Sequence, residues 1–252
     1  MRILSIDSSL GTQVAVVDAA PSAAGARALQ VLSQDEQADT RRHAESLGQM
    51  LSQALSAPGA AEHPLDAVVA ATGPAPFTGL RAGLVTAGVV GRTRGVPVHG
   101  VSSLDAVARR ALDELGSHEG QTGPVVLVAT DARRREVYTA LFRANGPDDV
   151  TRLTEIIVCP SAQVSQRLAE QASGPGGGSG GIDVVAGSGA SLYPELAEMA
   201  SYQKALAPVS GDALAQVRIA LARLERGEEL STQPLYLRHA DVQMPAARKR
   251  VR

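Results

Sequence analysis

The sequence predicts an α/β protein in which one structural unit occurs twice. Short β-type runs alternate with longer helical stretches along the chain, the pattern of sheets covered by helices. Two of its segments also share a plan: ILSID, a turn and QVAVVD near the start, then VLVATD, a turn and EVYTALF past the middle. In each, an aspartate (Asp7 or Asp131) closes the first strand and a tight turn opens the second. With 252 residues and 44% hydrophobic content, the chain can bury the core of one large or two modest domains.

Residues 3–6, 13–17 and 28–32 read as three consecutive strands, separated by turns at 8–11 and in the Ala/Gly-rich stretch 19–25. A helix follows, because Leu47, Met50, Leu51, Ala54 and Leu55 fall at helical spacing as one apolar stripe, with Thr40 as N-cap and Pro58-Gly59 as the stop. A strand at 67–72, a helix at 77–94 and a strand at 97–101 complete the first unit. After a helix at 104–115 and a loop at 116–123, strands at 125–130, 136–142 and 153–158 repeat the opening. A helix near 162–171, a strand at 182–186 and further helices follow, and the glycine-rich run 174–181 reads as a surface loop. Such a βββαβα duplication is the plan of the actin-like ATPase (ASKHA, RNase H-like) superfamily. The expectation is two domains of that type facing a cleft, residues 1–104 and 105–209. Residues 210–252 form a C-terminal helix that packs back on them, then a basic flexible tail.

The loop GPAPFTGLRAG lies between a buried strand and a helix start, a position where sites are built. Gly73, Pro74 and Pro76 shape it, Gly79 and Gly83 admit a second backbone, Phe77 and Leu80 offer apolar contact, Thr78 a hydroxyl, and Arg81 a planar cationic fork.

With the opening RILSIDSSLGTQVAVVD, the helix HAESLGQML and the late segment PLYLR, this loop resembles the TsaB family across about residues 1–242. That family supplies the small non-catalytic subunit of the bacterial machinery that places threonylcarbamoyl on the adenosine beside the tRNA anticodon. The resemblance implies a TsaD-like catalytic paralogue and a P-loop, TsaE-like ATPase as partners, a homodimer when the chain is alone, and tRNA reached only through the complex. It implies no cofactor required by this chain, ATP or ADP belonging to the assembled complex. It also implies that the helix carrying Leu47, Met50, Leu51, Ala54 and Leu55 is the dimerisation surface, with Gly73 to Arg81 near that interface or the cleft.

In active members of the superfamily both Asp-bearing turns hold phosphates. Asp7, Ser8, Ser9, Gly11 and Thr12 keep that chemistry and are expected to be a vestigial phosphate turn. Asp131-Ala132-Arg133-Arg134-Arg135 has no glycine and three bulky cations, so the two-sided clamp that phosphoryl transfer needs is missing one side. The GSGA stretch at Gly187 resembles the adenosine-contacting loop. Catalytic relatives carry a His-x-x-x-His pair on the HAESL helix; here His43 is followed by Leu47, and a lone imidazole holds no metal. The competing enzyme reading, an ATP-dependent small-molecule kinase or transferase using Asp7 and Asp131, lacks its second glycine-bearing turn.

Composition narrows the remaining classes. Aromatic residues make up 2% and Trp is absent, which leaves little for base-stacking platforms, and 24 basic against 26 acidic residues give no broad phosphate-neutralising surface. Arg248, Lys249, Arg250 and Arg252 form a local basic tail, expected to be solvated. Cys159 is the single cysteine, so no disulfide forms within the chain, which fits a reducing compartment. Without a signal-like apolar run or a spanning segment, a cytoplasmic protein with no membrane contact is expected. No nucleophile constellation supports the glycoprotease label attached to the wider family.

Overall fold

The structure, a computed structural model, describes residues 1–20, 26–38, 43–116, 123–172, 181–201, 205–206 and 212–237. Thr40, the run 174–180, His118, His239 and the basic tail lie outside the described residues.

Alternating Ile, Val and Ala side chains produce β1 (Arg2–Asp7) and β2 (Thr12–Ala19), which pair antiparallel, with Asp7 opposite Gln13 at the turn. Then come β3 (Leu29–Gln37), α1 (His43–Ser56), β4 (Ala67–Ala71), α2 (Phe77–Arg94) and β5 (Val98–Val101). β3 runs five residues past its expected end. Its polar second half, Ser33 to Gln37, stays in register with β2 at the sheet edge, where backbone pairing needs no apolar pattern. α2 stops at Gly95, whose positive φ of 67° lets its N–H reach the Gly91 carbonyl.

The second unit comprises α3 (Ser103–Glu114), β6 (Val126–Asp131), β7 (Glu136–Asn145), β8 (Asp149–Arg152), β9 (Ile157–Pro160), α4 (Val164–Ala172), β10 (Val184–Ala186), α5 (Ser188–Leu192), α6 (Pro194–Ala197) and β11 (Ala205–Leu206); α7 (Ala213–Glu225) closes the chain. The strand expected at 153–158 is instead two pieces. β8 pairs with the far half of β7 and β9 with the near half, and the register slips by two residues between them. Thr154 Oγ1 accepts the Leu141 N–H at 2.9 Å inside this slip, so a side chain takes over one ladder bond.

The two sheets confirm the duplication. The first has the order β3-β2-β1-β4-β5 and the second β11-β10-β6-β7-β8, with β9 also on β7. In both, the first hairpin is antiparallel and the later strands add in parallel. Period-two alternation gives each sheet two buried faces. Leu4, Ile6, Val14, Val16, Val68 and Ala70 pack with α1 and α2, whereas Ile3, Ala15, Val17, Ala67 and Val69 pack against Val217, Ala220 and Leu221 of α7. In the second sheet Val126, Val128, Ala140 and Phe142 meet α3, and Leu127, Ala129, Val137 and Val185 meet Val164, Leu168 and Leu196 on the other side.

The inner helices are therefore exchanged. α3 follows the first sheet in sequence but covers the second, while α7 follows the second and covers the first. They meet in the middle of the molecule through a buried ionic network. Arg218 of α7 reaches Asp113 of α3 at 2.5 Å and Asp148, before β8, at 2.9 Å. Arg223 reaches Asp105 at 2.8 Å and Asp149 at 2.9 Å, and Arg226 also pairs with Asp149. The fully buried Arg109 pairs with Asp113 at 3.1 Å and donates to the Gly146 and Asp149 carbonyls. Burial alone would depress the Arg218 guanidinium, but Asp113 and Asp148 more than offset this and hold its pKa above the ordinary value. Buried charges persist when each is paired and hydrogen-bonded, as these are.

Candidate functional site

The expected phosphate turn lies at the carboxyl end of β1, and Asp7, Ser8 and the Ser9 N–H are engaged within the chain. Asp7 is buried; its Oδ1 accepts the Ser9 N–H at 2.7 Å and its Oδ2 accepts from Gln216 Nε2 of α7 at 2.7 Å. Ser8 Oγ donates to the Gly79 carbonyl at 2.8 Å and accepts the Gly83 N–H at 3.1 Å, which ties the turn to α2. Only glycine fits at position 83, since a Cβ there would stand 2.2 Å from Ser8 Oγ. The nearby start of α7 is likewise occupied: Asp212 caps the Leu214 and Ala215 N–H groups, and Gln13 Oε1 accepts that of Ala213. Burial raises the Asp7 carboxyl above its ordinary range, opposed by the bonds from Ser9 and Gln216 and reinforced by the charge of Asp212. The turn keeps the residue types of a phosphate site, while internal partners hold its carboxylate, the Ser8 hydroxyl and the Ser9 N–H.

The second turn repeats the length and the aspartate bond of the first, on a different backbone path. Four residues separate Asp131 from Glu136, as four separate Asp7 from Thr12, and Asp131 Oδ1 accepts the Arg133 N–H at 2.9 Å as Asp7 accepts that of Ser9. Ser188 of the GSGA stretch accepts the Asp131 N–H at 2.9 Å, so that stretch braces the turn. Tyr193 bonds the same carboxylate; burial first, then the Asp131 charge, push its hydroxyl pKa up. Arg133, Arg134 and Arg135 all have positive φ (66°, 57° and 61°) and all are exposed. A non-glycine residue costs about 1–2 kcal/mol in that region.

The FTGLR loop meets two of the three other stretches on which the resemblance rests, the opening and the PLYLR segment. Through Gly79 and Gly83 it holds Ser8, and through Thr72 and Phe77 it holds the PLYLR segment. The Leu235 N–H donates to the Thr72 carbonyl at 2.8 Å. The Phe77 and Tyr236 rings lie 5.2 Å apart, the Arg81 guanidinium sits 4.1 Å over the Phe77 ring, and Arg81 Nε donates to Tyr236 Oη at 3.1 Å. Leu80, Gly73, Pro74 and Gly79 are buried, whereas Phe77, Thr78 and Arg81 are exposed. Upstream, the same C-terminal segment lies directly on β5, where a Cβ on Gly100 would come 2.1 Å from the Ser231 carbonyl. Beyond Tyr236, Leu237 packs, as Ile156 and Val158 do, against the core of the second unit, so the segment bridges both halves.

The stripe expected to serve dimerisation lies largely in the core of the first unit. Leu47, Met50 and Ala54 are buried in the core against the first sheet, and Leu51 and Leu55 are half-buried on its margin. A helix with one apolar stripe turns it to its own sheet first, and that is where this stripe goes. The adjoining α2 carries exposed apolar groups: Val85 is 64% and Val89 56% exposed, with Gly88 open between them. They were legible as a second apolar line on that helix, opposite Leu80, Ala87 and Val90. Gln216, which occupies the Asp7 carboxylate, and Tyr236 gave no comparable signal, because each acts through a partner remote in sequence.

Among the described residues, no group of three or more His, Cys, Asp or Glu is placed to hold a metal ion. Leu47, where a second imidazole would stand, faces the core. Cys159 is buried, which raises its thiol pKa. No helix among the described residues is long and apolar enough to cross a membrane.

Comparison with known proteins agrees with this architecture. An uncharacterized protein of Mycobacterium tuberculosis strain H37Rv is 46% identical over 114 residues, 45% of this chain and 49% of the relative. One from Mycobacterium leprae is 36% identical over 169 residues, 64% of this chain and 44% of the relative. The chain spans about half the length of the curated relatives it matches. Among solved structures, YeaZ from Pseudomonas aeruginosa superposes with a TM-score of 0.66 at 23% identity, covering 94% of this chain and 99% of that one. A second P. aeruginosa structure, an uncharacterized protein with similarity to peptidase YeaZ, gives 0.67 at 24% identity with the same coverage. These two establish the shared fold. The model of the family described as TsaD, tRNA N6-adenosine threonylcarbamoyltransferase, matches residues 30–186, more than half of the chain, and the chain belongs to that family.

Proposed function

We propose that this chain is the non-catalytic scaffold subunit of a cytoplasmic complex that transfers threonylcarbamoyl to N6 of the adenosine beside the tRNA anticodon. The observation that carries the reading is the closed first turn. Asp7 is held by Gln216 and Ser9, and Ser8 by Gly79 and Gly83, so the carboxylate that would face a metal and the Ser8 hydroxyl that would face a phosphate already have partners. Phosphoryl transfer depends on positioning and charge neutralisation from both sides of the phosphate, and the second turn offers arginines in place of glycine. The membership in a family described by this transfer supports the choice of reaction.

The partners in this reading are a TsaD-like catalytic paralogue and a TsaE-like P-loop ATPase, with a homodimer when the chain is alone. The chain needs no cofactor of its own; ATP or ADP belongs to the assembled complex. Val85, Gly88 and Val89 of α2, with Leu51 and Leu55 of α1 at the margin, offer a small-residue helical face on which a matching helix pair can pack. Titration calorimetry with ATP and magnesium, beside size-exclusion chromatography of the chain mixed with its paralogue, tests the assignment. The expected result is a stable heterodimer and no tight nucleotide binding by the isolated chain. Tight magnesium-dependent ATP binding, with no heterodimer, would favour the small-molecule kinase.

A further inference from the structure

We propose that the outer edge of β9 is a strand-addition site, and that residues 240–244 of this same chain are the strand it takes.

A hollow of about 550 Å³ lies beside β9, lined by the four consecutive residues Ile156 to Cys159, by the α4 helix and by Leu237. Side chains of a strand alternate between its two faces. Here Ile156 and Val158 join the core against α3, while Ile157 and Cys159 join the core against α4. A hollow that touches all four residues therefore runs along the edge of the strand. Among the described residues β9 pairs with β7 alone, so its other edge is turned to this hollow. A strand edge walled by a helix is the geometry at which an extended segment joins a sheet through main-chain hydrogen bonds. Folded proteins cover such an edge, since an open one pairs with other chains.

The chain supplies the occupant at the mouth of the hollow. Leu237, at the end of the described residues, is half-buried and lines it, so the residues that follow start from there. Ala240-Asp241-Val242-Gln243-Met244 alternates apolar and polar residues with period two, the pattern of a strand with one buried side. Pro245 then ends the pattern, because it has no N–H to donate to a ladder. Five strand residues span about 17 Å, enough to cover the roughly 13 Å taken by four residues of the β9 edge. Ala240, Val242 and Met244 share the side suited to the apolar walls, and Asp241 and Gln243 the side suited to water. Only Arg238 and His239 separate Leu237 from this pattern, and so short a link sets an effective concentration in the millimolar range. A strand from a second copy or another protein must compete with that from solution.

Hydrogen exchange at the β9 amides that do not bond β7 reads the occupancy of the edge. It is measured by NMR for the full chain, for a chain ending at His239, and for the full-length variant Val242→Pro, which removes one donor and one apolar side chain. Both changes are expected to quicken exchange at those amides about tenfold or more, with the β1–β2 hairpin unaffected. A synthetic peptide of residues 238–252 at millimolar concentration is expected to restore protection to the shortened chain. Should that chain fail to fold, Val242→Pro decides alone. Equal rates in the parent and both altered chains would overturn the proposal. Protection that survives shortening and rises with protein concentration would also overturn it, because a second copy would then hold the edge. Equal rescue by a scrambled peptide would do the same, since the cover would not depend on the 240–244 pattern.

Discussion

Gln216 Nε2 donates to Asp7 Oδ2 at 2.7 Å although the two residues lie 209 positions apart. The bond joins the first turn to the last helix and explains why a carboxylate can be fully enclosed there. The enclosure itself predicts an unusual pH response. Burial raises the Asp7 carboxyl above its ordinary 3.8, so across the interval between that value and the raised one the folded chain holds a proton that the unfolded chain has released. This group's contribution to stability falls as pH rises through that interval and stays reduced above it. Asp7→Asn is therefore expected to melt above the parent at neutral pH, the difference closing as pH approaches 3.8. A variant that melts below the parent at neutral pH would mean that ionised Asp7 supports the fold.

Two neighbouring helices should respond in opposite ways to similar changes. Met50→Ala removes a buried side chain from the core over the first sheet and is expected to cost about 2–5 kcal/mol in denaturant unfolding. Val89→Glu alters an exposed position and is expected to change stability by about 0.5 kcal/mol or less while abolishing the heterodimer in chromatography. Intact pairing by Val89→Glu would move the interface elsewhere.

Asp149 is buried and shared by Arg223 and Arg226. Asp149→Ala leaves the largely buried Arg223 with Asp105 as its one remaining carboxylate partner, and a loss of about 3–5 kcal/mol is expected. Because this network joins the exchanged helices α3 and α7, hydrogen exchange should quicken in both. A loss below about 1 kcal/mol would show the network to be dispensable.

The arginine turn should be stabilised by glycine. Arg135→Gly removes a positive-φ side chain, and after the larger backbone entropy of glycine in the unfolded state a net gain of about 0.5–1 kcal/mol is expected. A lower melting temperature would mean that the Arg135 side chain holds the turn.

Much of the fold was legible because it rests on local periodicity. The α2 limits and the β1–β2 and β6–β7 hairpins follow from apolar runs bounded by Gly, Pro and Asp. The third strand of the second unit was misread because its two-residue slip depends on Thr154 bonding Leu141 across the sheet, which no run of residues records. The candidate site divided in the same way. The Asp7 turn and the FTGLR loop were visible as composition, while their closure by Gln216 and Tyr236 arises only when the end of the chain returns to its beginning. The α1 stripe showed that the helix has a buried face, while the exposed Val85 and Val89 lie on α2.

The most direct measurement is reconstitution of tRNA threonylcarbamoylation from purified catalytic paralogue, ATPase partner and threonylcarbamoyl-adenylate synthase, with this chain added or omitted and with its own ATP turnover recorded. The account predicts modification only when the chain is present, an undiminished rate with Asp7→Asn, and no ATP turnover by the chain alone. Equal modification without the chain, or loss of activity in Asp7→Asn with the complex intact, would contradict the scaffold role.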